Sequence, residues 1–126
     1  MLKSYPALFH LENDGSYWVE FPDFAGGTQG DGVEDAMKNA REMLESLLAS
    51  YIDEGFALPL ASDMTSLSID DGFVTLIQVD PTPFIRNNKA VRKNVTVPEW
   101  LTKLADREQL NYSEVLTNAL EARLRI

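Results

Sequence analysis

Cysteine is absent from this 126-residue chain, so no disulfide framework, thiolate nucleophile or thiolate metal site is available to it. That absence fits a reducing compartment. Histidine is nearly absent as well: His10 stands alone, with no serine or second histidine at a recognisable catalytic spacing, and a structural role is expected for it. Long apolar runs are also missing. Charges interrupt every stretch well short of the roughly 18 residues that a membrane span requires, and MLKSYPALFH has no apolar signal-peptide core. A cytoplasmic protein with no membrane partner is expected. Cations are scarce: 11 lysines and arginines face 20 acidic side chains, for a formal net charge of -9, while a 44% hydrophobic content is enough to build a core.

The shortage of cations is uneven along the chain. Residues 1–80 hold three basic side chains against fifteen acidic ones, net -12, whereas residues 81–126 hold eight against five, net +3. The break falls at Pro81 and Pro83, where PTPF interrupts an apolar run. Two modules are expected, 1–80 and 91–126, joined by a linker at 81–90. A polyanion repels the first and tolerates the second.

In the first module, YPALFHLE and SYWVEF flank Asn13-Asp14-Gly15, which is the pattern of a β-hairpin. Tyr17, Val19 and Phe21 fall on one face, with Trp18 and Glu20 on the other. A short third strand is expected near 25–28. The period then changes from two to about 3.6, and Ala36, Ala40, Met43, Leu44, Leu47, Leu48 and Tyr51 form the apolar stripe of a helix. Asp31 and Glu34 have capping-box spacing, and Gly55 is a natural stop. FVTLIQV, apolar on both faces, reads as a central strand. This order predicts an α+β layer, one sheet with one packed helix.

In the second module, Val91, Lys93, Val95 and Val97 alternate with Arg92, Asn94 and Thr96, as in a strand. Pro98 suits the first turn of a helix that carries Leu101, Leu104 and Ala105 and ends around 109–111. A second helix is expected from an N-cap at Ser113, with Val115, Leu116, Ala119, Leu120 and Leu124 as its apolar stripe. A strand and two helices in about 35 residues cannot enclose a sufficient core, so the module is expected to dimerise. Antiparallel pairing of two strands across a two-fold axis satisfies their edges and leaves both Arg-Asn-Thr faces outside.

KNVTVPEWLTKLADREQLNYSEVLTNALEARL resembles a ribbon-helix-helix DNA-binding domain, and YPALFHLENDGSYWVEFPDFAGGTQGDGVEDAMKNAREML resembles the N-terminal region of HicB antitoxins. Together they span nearly the whole chain in the family's order. The resemblance implies a type II antitoxin whose N-terminal domain, a partial ribonuclease-H-like fold, neutralises a HicA-type messenger-RNA interferase. Its C-terminal domain would repress the operon. One departure is Gly26-Gly27, where many relatives have a Gly-Cys pair.

A dimeric β-ribbon fits the major groove, where Arg92 can pair with guanine, Asn94 with adenine, and Thr96 can offer a hydroxyl or a methyl group. Lys89, Lys93 and Arg86 would approach phosphate, and the amino end of the helix at Ser113 could clamp a phosphate oxygen. HicA-type toxins are basic, so the resemblance predicts steering of such a partner towards the acidic module. Tyr17, Trp18, Glu20 and Asp23 are the expected toxin contacts. Expected partners are thus the toxin, operator DNA and a second copy, with further association into tetramers left open. No cofactor is expected, no metal and no catalysis. Glu12, Asp14, Glu20 and Asp23 lack a metal-site spacing, and GGTQGDG lacks the Gly-Lys-Ser/Thr of a phosphate loop. Two other readings remain: a ribbon-helix-helix regulator without a toxin, and a small metal-dependent nuclease.

Overall fold

The computed structural model describes residues 1–126, which divide into two units, Met1–Asn88 and Lys89–Ile126. In the first unit, β1 (Lys3–Leu11) and β2 (Tyr17–Glu20) form the hairpin that Asn13-Asp14-Gly15 predicts, closed by Glu12 N–H to the Ser16 carbonyl at 2.8 Å. β3 (Gly27–Gly30) lies two residues later than expected, because 27–30 is the stretch that pairs with β2 from Glu20 back to Tyr17. Helix α1 (Val33–Asp53) follows, then β4 (Gly72–Val79). All pairings are antiparallel, in the order β3-β2-β1-β4.

The expectation of a central β4 is wrong. It is an edge strand, paired only with β1, and Leu76 is 48% exposed. β1 and β2 take the interior positions, each with partners on both sides.

Alternation decides which face carries the core. Tyr5, Ala7 and Phe9 of β1, Val19 of β2, and Ile77 and Val79 of β4 are buried beneath Ala36, Ala40, Leu44 and Leu48 of α1. The rings of Phe9 and Phe73 stack at 4.8 Å, and Tyr5 meets Phe24 edge-on at 4.9 Å.

The ends of α1 differ in how they are capped. Asp31 and Glu34 do not form the expected capping box. Gly32 is the N-cap and offers no side chain, so Asp35 reaches back instead, its Oδ2 accepting the Asp31 N–H at 2.9 Å. At the other end Gly55, at φ 76°, allows a Schellman closure: its N–H donates to the Ile52 carbonyl and Phe56 N–H to that of Tyr51. The Tyr51 and Phe56 rings pack edge-on across it at 6.3 Å. Asp53 has an unfavourable sign for the carboxyl end of a helix. Its carboxylate accepts the backbone N–H groups of Arg86 and Asn87, both at 2.9 Å, and these bonds hold its pKa below the ordinary value. The chain expected as a linker is thereby tied to the first unit as far as Asn87.

In the second unit, residues 91–97 carry no strand pairing within the chain, and α2 (Glu99–Arg107) and α3 (Tyr112–Leu124) follow. Pro98 stands at the N-cap of α2, one position ahead of its first turn. Asn111 rather than Ser113 caps α3, accepting the Glu114 N–H at 3.1 Å; its short amide lies at the spacing the cap requires. The Tyr112 hydroxyl donates to Asp106 Oδ1 at 2.6 Å, fastening the start of α3 to α2.

Candidate partner-binding surfaces

The first surface is the sheet face turned away from α1. Cross-strand pairing sets His10 opposite Trp18 and Leu8 opposite Glu20. The His10 ring lies between two carboxylates: Nδ1 is 2.8 Å from Asp71 Oδ1, and Nε2 is 3.2 Å from Glu20 Oε1. One imidazole thus ties β1 to β2 and to the turn before β4. Partial burial pulls its pKa down, but the hydrogen bonds to Asp71 and Glu20, with their charges, outweigh this and raise it above 6.5. A proton held more tightly in the folded state stabilises that state fully below the unfolded pKa, and the gain disappears as pH rises through the raised folded value. Relative to His10→Gln, the wild-type chain should therefore be more stable below about pH 6.5. The advantage should shrink at higher pH in thermal unfolding across a pH series.

The four residues expected to contact a toxin are not brought together. Trp18 is exposed, and Glu20 is half-buried against His10. Tyr17 points into the core side, edge-on to Phe9 and Phe73 at 6.3 and 5.8 Å. Asp23 accepts the backbone N–H and the hydroxyl of Ser62, which pins the 56–63 segment. No group of three histidine or acidic side chains is placed to hold a metal ion. His10 has the structural role expected of it, but its partner Asp71 was not foreseen. The hairpin register places His10 diagonal to Glu20, but nothing local marks Asp71, which lies 61 residues from His10.

The second surface belongs to the second unit, where no residue is buried. Val91, Val95, Trp100, Leu104, Leu116 and Leu120 are among its large apolar side chains exposed on the single chain. Arg92, Asn94 and Thr96 are exposed ahead of α2, as are Lys89 and Lys93. Ser113 is exposed in the first turn of α3, two places inside the N-cap position at which it was expected. No helix is long and apolar enough to cross a membrane.

An acidic sheet unit followed by a helical unit with its apolar side chains uncovered defines a two-unit α+β protein. The chain belongs to the HicB-like antitoxin family of bacterial toxin-antitoxin systems, which matches residues 5–121. It is similar to a chain of a toxin-antitoxin complex from Streptococcus pneumoniae, with 30% identity and a TM-score of 0.63 over 98% of this chain and 99% of that one. The antitoxin HicB of Burkholderia pseudomallei shares the fold at 24% identity, with a TM-score of 0.60 over 95% of this chain and 98% of the other. No curated protein matches the sequence.

Proposed function

We propose that the chain is an antitoxin that occludes a HicA-type messenger-RNA interferase with its first unit and represses its own operon through a dimeric β-ribbon formed by its second. The first unit is read as the partial ribonuclease-H-like layer of the family and the second as a ribbon-helix-helix domain. The observation that carries the reading is the second unit's surface: the 91–97 segment and two helices expose many large apolar side chains, and no residue is buried. A surface of that kind is covered by another copy. Two such segments paired across a two-fold axis would form a ribbon of the size a major groove admits, with Arg92, Asn94 and Thr96 outward and Lys89, Lys93 and the Ser113 amide near phosphate.

The toxin side of the reading rests on charge and family. The net -12 of residues 1–80 steers a basic partner and makes inhibition an act of coverage rather than catalysis. Of the four expected contacts, Trp18 and Glu20 have the accessibility such a role needs.

Gel-shift titration with the upstream DNA tests the repressor arm. The triple variant Arg92→Ala, Asn94→Ala, Thr96→Ala should lose at least about a hundredfold in specific affinity, since each good base contact contributes about 1–3 kcal/mol. Co-purification of the chain with the small basic protein encoded beside it tests the toxin arm. Wild-type operator binding by the triple variant would contradict the ribbon.

A further inference from the structure

β4 is bonded on one side only. The Leu11 amide donates to the Asp71 carbonyl, and the β1–β4 register runs from Lys3↔Val79 to His10↔Gly72 without a slip. Antiparallel ladders alternate, so Phe73, Thr75, Ile77 and Val79 turn their N–H and C=O groups towards β1. Gly72, Val74, Leu76 and Gln78 turn theirs away from the sheet, and no backbone group of the chain pairs with that side.

Exposed strand edges ordinarily carry a lysine, a proline, a bulge or a very short length, which prevents pairing with other chains. GFVTLIQV has none of these. It is eight residues long, uncharged and unbulged, in a chain of which 25% is charged.

The charges lie at the two ends instead. Asp70 and Asp71 precede the strand and Asp80 follows it. A second β4 paired antiparallel would bring the Asp70–Asp71 end of each copy against the Asp80 end of the other, like charge on like. A strand with an apolar or β-branched middle and basic ends meets no such conflict.

We propose that the outward edge of β4 accepts a strand from a basic protein partner, extending the four-stranded sheet by main-chain pairing. On the antitoxin reading, from which this inference follows, that partner is the toxin. Main-chain bonds to Val74, Leu76 and Gln78 would supply the affinity, and the half-exposed Leu76 would meet an apolar residue of the incoming strand.

Residue-resolved amide hydrogen exchange on the full chain, alone and with the toxin co-expressed from the adjacent reading frame, tests this directly. The amides of Val74, Leu76 and Gln78 should exchange freely in the chain alone and slow at least about a hundredfold in the complex. Leu76→Pro removes one outward donor without removing an inward bond, and it should weaken toxin binding at least tenfold while leaving operator binding unchanged. Leu76→Lys, which keeps the backbone donor but adds a like charge facing the basic partner, should weaken it similarly and covers the case in which the proline variant fails to fold. Amides that keep their free rates in a formed complex would overturn the assignment. Protection already present without toxin would mark the edge as a contact between copies, and would overturn it equally. If the wild-type chain binds no toxin at all, the antitoxin reading fails and this inference with it.

Discussion

Replacing Leu116 with glutamate should convert the protein to a monomer and abolish operator binding. Leu116 is on the apolar stripe of α3 and is 39% exposed on the single chain, among the least exposed of the large apolar side chains in its unit. In the dimeric reading that remaining area is covered by the second copy. A glutamate there would place two carboxylates, one from each copy, among the apolar side chains of that interface. Burying an unpaired charge costs several kcal/mol, and about 4 kcal/mol already weakens association roughly a thousandfold. Each half-ribbon would then lose its partner strand, and DNA binding should fall to background. The first unit has its own buried core and should keep its unfolding transition. Sedimentation velocity and gel shift on the same samples check both halves. A dimeric Leu116→Glu that binds DNA would contradict the role assigned to α3.

The second large effect is expected at Gly30, the last residue of β3. A Cβ on Gly30 would stand 2.5 Å from the Ala36 Cα and closer still to the Ala36 amide, both in the backbone of α1. A backbone cannot move aside as a flexible side chain can. The helix approaches so closely because Ala36 and Ala40 are small, and both are fully buried. The Asn39 side chain fastens the same junction, its Nδ2 donating to the Gln29 carbonyl at 2.7 Å. Gly30→Ala should therefore push α1 off the sheet at a cost of about 3 kcal/mol, the upper part of the usual range for overpacking. In a Trp100→Phe background, Trp18 is the only remaining tryptophan. Its fluorescence in urea titrations then reports the first unit alone. A loss below about 1 kcal/mol would mean that the junction yields more easily than its geometry implies.

The sequence was most informative where periodicity and burial coincide. Val19 and Phe21 opposite Trp18, and the stripe of Ala36, Ala40, Leu44 and Leu48, were legible because one face of each element had to be apolar. The position of β4 was not. An apolar run such as FVTLIQV signals a strand, but its rank within the sheet depends on which partners remain after β1 and β2 have paired. β3 was displaced because GTQG has no apolar rhythm, and its place is set by pairing with β2 and by the close approach to Ala36. The helix starts were misplaced by one or two residues: Gly32 caps α1 with no side-chain bond, and at α3 two good capping side chains, Asn111 and Ser113, stand two apart, of which the backbone presents Asn111 to the Glu114 N–H. Among the candidate site residues, Asp23 illustrates the limit of local reading. Its carboxylate was free in the sequence and is committed in the fold to Ser62, 39 residues away. His10 was expected to be structural, and it joins Glu20 to Asp71; its distant partner Asp71 was not legible in the sequence.

Sedimentation equilibrium of the full chain at low micromolar concentration tests most directly whether two second units combine into one DNA-reading element. The account predicts twice the 14.1 kDa chain mass, or a multiple of that pair. A single species of 14.1 kDa that still shifts operator DNA would contradict it.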